Sequence, residues 1–402
     1  MERENSRIGL PEFFILYLCI WTISPPMQIG TIYRLAALVC AGGWILSTGL
    51  KCSSGPYTNY GVLFIGMVVV VAIIEYSGFS KVLSYIGIYL TYIGYLMVRY
   101  YINQPQKLKP LIPIVLVFLI FWNYRTISAL IADSHAMRYV VRNDATANSY
   151  LAKGVGGYGL LYSQVCVFPA VIAWVIKIRK TSKVKFIIGC LWTATYALLI
   201  LEAGYTIAVV ATVLSLYVLF FKKKGSALGI AITAIVLCVL GMLILMKSTW
   251  LQNLLLNIFD GTTITKKIND LISSAQNGAA EGSIASRMNA YLNSLKGLIN
   301  YPIIGGLFWG GGGGHSALLD AFAKYGWFGG CVYYGLIMGV PKHFMSYGDF
   351  YGENVGRAAN SLFTAILMVA LLDTMPYQFS MMITVMPLAL ISEIAETREI
   401  MQ

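Results

Sequence analysis

The sequence predicts an all-α, polytopic integral membrane protein with about twelve transmembrane helices and one long polar segment confined to a single side. Apolar residues make up 58% of the chain and charged residues only 11%, about half the usual share for a soluble domain. Apolar runs recur at the length needed to cross hydrocarbon. Lys and Arg crowd alternate connections between those runs.

The runs fall at roughly 8–24, 30–49, 60–78, 80–101, 110–131, 155–178, 184–201, 204–221, 226–246, 327–342, 358–373 and 376–394. The whole chain, 1–402, reads as one transmembrane domain from which two polar segments emerge, 132–154 and 247–326. The first run follows a charged N-terminus and precedes Pro25-Pro26 without an evident small-residue cleavage site, so it is expected to be a retained span.

Orientation follows from the short connections. On the side of the N-terminus they carry Arg99, Lys107, Lys109, Lys177, Arg179, Lys180, Lys183, Lys185, Lys222, Lys223 and Lys224, whereas the opposite side carries Lys81, Arg125, Arg138, Arg142 and Lys153. The positive-inside rule then places both termini in the cytoplasm and the long 247–326 segment outside; a segment that long is itself largely exempt from the rule. The net charge of +12 is accounted for by anchoring to anionic lipid, and a nucleic-acid partner is not needed. The seven cysteines form no C-x-x-C pair and mostly fall in spans, where they act as small apolar fillers.

The long polar segment has helical periodicity. Trp250, Leu251, Leu254, Leu255, Ile258 and Phe259 form one apolar stripe, and Ile264, Ile268, Leu271 and Ile272 a second. A third amphipathic helix, 284–299, carries Ile284, Met288, Tyr291, Leu292, Leu295, Leu298 and Ile299, and ends where Asn300-Tyr301-Pro302 breaks it. The first two suit amphipathic helices lying in the membrane interface.

Arg287 sits on that third helix with Tyr291 and Ser294 near the same stripe. Two readings stand: an arginine snorkelling at the membrane surface, or a guanidinium clamp for a phosphate. The shorter polar segment offers Arg138-Tyr-Val-Val-Arg142, then Lys153 and Gly154-Val-Gly156-Gly157. Arg138 and Arg142 one helical turn apart repel, which an anion between them would reverse; ordinary solvated charges are the alternative.

The most informative stretch is Gly310 to Gly314 followed by His315 and Ser316. It puts a histidine where a glycine-rich loop becomes a helix. An imidazole next to water can accept a proton at physiological pH, although a packed or interfacial histidine is the plainer reading. Ser316 is a natural N-cap, and the helix N-terminus favours an anion. The glycines permit close approach of backbone N–H groups to a phosphate, or serve only as a linker. Asp320 and Lys324, four apart, form a surface pair by default; alternatively Asp320 orients a hydroxyl. His135 and His343 lack comparable surroundings, and no H-x-x-x-H, D-x-D or carboxylate cluster marks a metal site on this side.

These residues in this order resemble the O-antigen polymerase and O-antigen ligase superfamily. The resemblance rests on Ser286-Arg287, Tyr291, Asn300-Tyr301-Pro302-Ile-Ile-Gly305-Gly306, His315-Ser316 and Tyr325-Gly326 with Gly329, and is densest over 283–330. The loop with Arg138 and Arg142 is similar to the family's other arginine-bearing periplasmic loop. One departure is clear: many relatives carry a Ser-Arg pair between spans seven and eight, where this chain reads Leu201-Glu202-Ala203-Gly204-Tyr205-Thr206.

The resemblance implies a GT-C-like glycosyltransferase architecture in a bacterial inner membrane, with an undecaprenyl-pyrophosphate-linked oligosaccharide as substrate. It implies His315 as general base and Arg287 as the pyrophosphate clamp. Arg138, Arg142, Tyr291, Gly314, Ser316, Asp320 and Tyr325 are then the expected contacts to pyrophosphate or sugar. Neither a metal nor a cofactor is expected. Expected partners are membrane lipids and a separate chain-length regulator. The His-Ser pair, the glycines after Lys153 and the small periplasmic content lean toward polymerase over ligase. A transporter or flippase is the reading from another class. Such a protein carries ionisable residues near the midplane, for which Arg34, Glu75 and Asp373 are the candidates here, and usually repeated halves.

Overall fold

The computed structural model describes residues 8–48, 56–74, 86–140, 145–221, 282–303, 305–306, 312–346, 352–375 and 378–395, with isolated positions at 253, 256, 257, 265 and 269. Among these residues every regular element is a helix. In chain order they are α1 Leu10–Ile23, α2 Pro25–Ile29, α3 Thr31–Thr48, α4 Pro56–Ile74, α5 Ile86–Tyr101, α6 Leu111–Ala132, α7 Ala136–Tyr139, α8 Ala145–Ala152, α9 Tyr158–Ile178, α10 Lys183–Ala203 and α11 Thr206–Phe221. Then follow α12 Gly282–Asn300, α13 Ala317–Ile337, α14 Gly339–Ser346, α15 Glu353–Leu372, α16 Phe379–Ile383 and α17 Val385–Ile394. A 3-10 turn, Pro105–Leu108, leads into α6.

Among the described residues, five stretches are long and apolar enough to cross a membrane: Thr31–Thr48, Pro105–Ala132, Tyr158–Ile178, Lys183–Ala203 and Glu353–Leu372. Shorter apolar helices occupy Leu10–Ile23, Asn59–Val70, Thr206–Phe221 and Phe379–Ile394. The chain is thus a helical protein of membrane type. The expected span 226–246 lies outside the described residues, as do the expected amphipathic helices at 250–259 and 264–272 apart from Asn253, Leu256, Asn257, Thr265 and Asn269, which are helical. The third amphipathic helix is α12. Where one span was expected over 327–342, helix α13 already begins at Ala317 and is interrupted by Gly326, whose φ of 69° and ψ of −172° are not helical.

The chain divides into two compact units. One comprises Met1–Lys223, Gly335–Ile366 and Met375–Gln402; the other comprises Lys224–Tyr334 and Leu367–Thr374. The first unit is built around α9, which packs on α10, α11, α16 and α17. Most of its apolar residues are buried, including Leu161, Val165, Cys166, Val171 and Trp174. By contrast α3 and α10 present Leu38, Val39, Leu46, Val184, Ile187 and Leu198 outward, as expected of helices solvated by lipid.

Several buried polar groups of this unit are paired across helices. Asn123 on α6 and Gln164 on α9 exchange two amide hydrogen bonds, of 2.9 and 2.8 Å, and the Trp192 indole on α10 donates to the same Gln164 oxygen at 3.1 Å. Three helices are thereby tied together through side-chain hydrogen bonds in the packed interior. Near one end, Glu393 accepts from the Trp174 indole and from Lys185, each at 2.7 Å, tying α17 to α9 and α10.

Replacing Gln164 with Leu removes the donor to Asn123 Oδ1 and the acceptor of the Trp192 N–H in a buried interior. A loss of about 2 kcal/mol in unfolding free energy in detergent is expected. Asn123→Leu added to Gln164→Leu should cost less than the sum of the two single changes, and strict additivity would contradict the pairing.

Candidate functional site

The candidate residues of the long polar segment lie in the second unit, on α12, on the loop before α13 and on the 367–374 stretch. Arg287, Tyr291 and Ser294 follow one another at i, i+4 and i+7, so they share one face of α12. Each makes a different contact. The Arg287 Nη1 lies 3.5 Å from Asp373 Oδ2, an ion pair in which the carboxylate side chain is 11% exposed and the arginine 30%. The other Asp373 oxygen accepts from Thr374 N at 2.8 Å and holds its own turn. The Tyr291 hydroxyl donates to the Leu372 carbonyl at 2.7 Å. Burial pushes the Tyr291 phenol above its ordinary range, and the Arg287 guanidinium offsets part of that through its charge and a hydrogen bond.

Ser294 is buried and joins α12 to the glycine loop. Its hydroxyl is 2.6 Å from Asp320 Oδ1 and 3.2 Å from the Ala290 carbonyl. With one proton to give, the shorter, charge-assisted bond to Asp320 is the stronger. Gly313 N donates to both Ser294 Oγ, at 2.8 Å, and Asp320 Oδ1, at 2.9 Å. Ser316 N donates to Asp320 Oδ2 at 3.2 Å. One carboxylate therefore gathers a side chain of α12 and two backbone amides of the loop.

The loop's glycines have a steric reason. A Cβ on Gly313 would lie 2.0 Å from the Ala290 carbonyl oxygen, so only glycine lets the loop rest directly on α12. Gly312 and Gly314 have φ of 114° and 78°, which L side chains rarely adopt. Beyond the loop, Ser316 caps α13: its Oγ accepts from Leu319 N at 3.1 Å and donates to the Ala370 carbonyl at 3.2 Å. Ala317 N donates to the Asp373 carbonyl at 2.9 Å. Amides at the start of α13 are thus satisfied by the protein itself, by a serine cap and an aspartate one turn in.

His315 stands between the exposed Gly314 and the buried Ser316 and is half-buried. Among the described residues no side chain or backbone group hydrogen-bonds its imidazole. The backbone on its C-terminal side is fastened at Ala370 and Asp373, and Asp373 also faces Arg287. The same short stretch anchors both candidate catalytic residues.

A second contact sets the turn after α12. Gly306 N donates to the Ala323 carbonyl and Trp327 N to the Pro302 carbonyl, both at 2.7 Å. A Cβ on Gly305 would lie 2.4 Å from Gly326 N, and one on Gly326 would lie 2.2 Å from the Ile303 carbonyl oxygen. Backbone touches backbone there. The backbone at 302–303 and 305–306 meets α13 at its break, and Gly305 and Gly326, at φ of 67° and 69°, permit it.

The other expected residues are placed as follows. The Asp320 carboxylate accepts from the loop's amides, Oδ1 from Gly313 N and Oδ2 from Ser316 N. Ser316 is fully buried with its hydroxyl engaged as donor and acceptor. Tyr325 is buried beside the glycine crossing, with Lys324 Nζ 5.4 Å from its ring centre. Gly314 is exposed, and a Cβ there would meet nothing within 4 Å. Arg138 is exposed on α7 in the first unit, within electrostatic reach of Tyr205, and Arg142 lies outside the described residues. Sequence reasoning missed Asp373 and Ser294 as parts of the site. Asp373 did carry a signal, since a carboxylate ending an apolar run requires a partner. Among the described residues no three His, Cys, Asp or Glu side chains come together. No protein-family profile and no curated protein matches the chain.

Asp320→Ala removes the common acceptor of Ser294, Gly313 and Ser316. A stability loss of roughly 2–4 kcal/mol is expected, with faster proteinase K cleavage within 310–316. Unchanged cleavage would show that the loop is held by something else. Gly326→Ala should fail more severely, as loss of folded protein on size exclusion, because a methyl cannot fit against the Ile303 carbonyl.

Proposed function

We propose that the chain is a glycosyltransferase that joins undecaprenyl-pyrophosphate-linked oligosaccharide repeat units into a longer polysaccharide. In this reading about twelve helices span a bacterial inner membrane, both termini are cytoplasmic, and the site opens on the periplasmic side. The observation that carries it is the common anchoring of Arg287 and the His315 loop on residues 370–373, within one compact unit. The motif order from Ser286-Arg287 to His315-Ser316 and Tyr325-Gly326 supports it independently.

Each group has a task that its surroundings suit. Arg287, partly exposed and facing Asp373, presents a guanidinium whose charge a carboxylate already balances. An incoming diphosphate takes over that partner role with more charge and more acceptor oxygens. As the glycosidic C–O bond to the diphosphate breaks, the bonding electrons pass to the phosphate oxygen and Arg287 stabilises them. The acceptor hydroxyl oxygen forms the new bond to the anomeric carbon, and His315 takes its proton as general base. A single direct displacement inverts the anomeric centre. Asp320 and Ser294 hold the loop that carries His315, and do not touch the reacting atoms.

Purified protein supplied with defined undecaprenyl-pyrophosphate repeat units should give a ladder of products without lipid A core, whereas a ligase would need that core. His315→Ala should remain folded and leave single units. Arg287→Lys should rescue poorly if paired contact to phosphate matters. Normal long polymer from His315→Ala would end the general-base assignment, and full rescue by lysine would reduce Arg287 to a simple positive charge.

A further inference from the structure

Helix α12 has three faces, not two. At about 100° per residue, Arg287, Tyr291 and Ser294 fill one sector, which is turned onto the protein. Asn289, Asn293, Lys296 and Asn300 fill a second, and all four are exposed. Met288, Leu292, Leu295 and Ile299 fill a third, and they too are exposed, although every one is apolar. An amphipathic helix packed on a soluble protein has one apolar face and buries it. Here the buried face is the polar, site-bearing one, and an aliphatic stripe is left outside.

The stripe continues beyond the helix. Ile303, Trp327 and Phe328 are exposed as well, so the surface runs from 40% exposure at Leu295 to 80% at Ile303. The bond from Trp327 N to the Pro302 carbonyl and the Gly305–Gly326 contact fix these segments against one another. We propose that this surface is embedded in lipid: α12 lies in the plane of the membrane surface with its aliphatic stripe among acyl chains, its asparagine-lysine face in water and its third face on the protein.

The occupant follows from chemistry and continuity. The stripe is aliphatic without a single charge, ends in a tryptophan, and has Lys296 beside it, a combination that fits acyl chains below and anionic headgroups alongside. It joins at Trp327 and Phe328 the apolar run 327–342, whose composition is that of a bilayer-crossing segment. The outward residues are of the kind that α3 presents with Leu38 and Leu46. One consequence concerns depth. Arg287 sits on the face next to the stripe, so the guanidinium is held at the level of lipid phosphates, where a substrate with a lipid tail carries its charged head.

This inference stands on the membrane class alone and does not require the transfer reaction. The test is photocrosslinking of the full chain in phospholipid nanodiscs, with benzoylphenylalanine in place of Leu292, Ile299, Asn289 or Asn293, and of Leu38 and Leu46 as lipid-facing references. Phospholipid adducts at 292 and 299 should match those at 38 and 46 and be lost at 289 and 293. Adducts within the chain or between two copies at 292 and 299 would overturn the proposal, as would no lipid adduct there. Equal lipid labelling at 289 and 293 would overturn the in-plane orientation. The pattern should be the same in His315→Ala, so failure of the catalytic reading and failure of this one are separately visible.

Discussion

The Asp320 carboxylate organises the second unit. It accepts from the Ser294 hydroxyl, from Gly313 N and from Ser316 N, and so binds together α12, the glycine loop and the start of α13. Hydrogen bonds to a charged acceptor contribute about 1.5–3 kcal/mol each. A run of glycines has the highest conformational entropy a chain can present, and without this acceptor it would be a linker. With it, the residue after the run, His315, occupies a defined position.

Ordering the loop has a further cost that the backbone contacts reveal. At Gly313 the loop touches the Ala290 carbonyl, and at Gly305 and Gly326 one backbone lies against another. Such contacts exclude side chains, so the glycines are steric requirements rather than flexible joints. They bring α12, its following turn and the break in α13 within hydrogen-bonding range. Rigid placement of one polar face against the protein then leaves the aliphatic stripe of α12 outside, beside the face that carries Arg287.

Much of this was legible in the sequence where the signal is local. The periodicity of Met288, Tyr291, Leu292, Leu295 and Ile299 gives α12, Pro302 gives its end, and Ser316 before an apolar run gives the cap of α13. The pairing of Asn123 with Gln164, and of Arg287 with Asp373, was not legible, because each joins residues far apart in the chain and no local pattern encodes the partner. Asp320 was misleading for the opposite reason: a lysine four residues on makes a surface pair the default, while its actual partners, Ser294 and two loop amides, are set by tertiary packing. The glycines of 305 and 326 were visible as a motif, but the backbone crossing that demands them is visible only in three dimensions. The absence of an arginine in Leu201 to Thr206 was equally plain from sequence; in the structure Gly204 takes a left-handed C-cap there and Tyr205 is buried.

The central claim is that Arg287 and the His315 loop serve one ligand. Hydrogen exchange of the full chain in nanodiscs, with and without undecaprenyl diphosphate, tests it most directly. The account predicts added protection of the amides from Gly312 to His315 when the diphosphate binds, and loss of that protection in Arg287→Ala. Protection that survives Arg287→Ala, or a loop indifferent to the diphosphate, would contradict it.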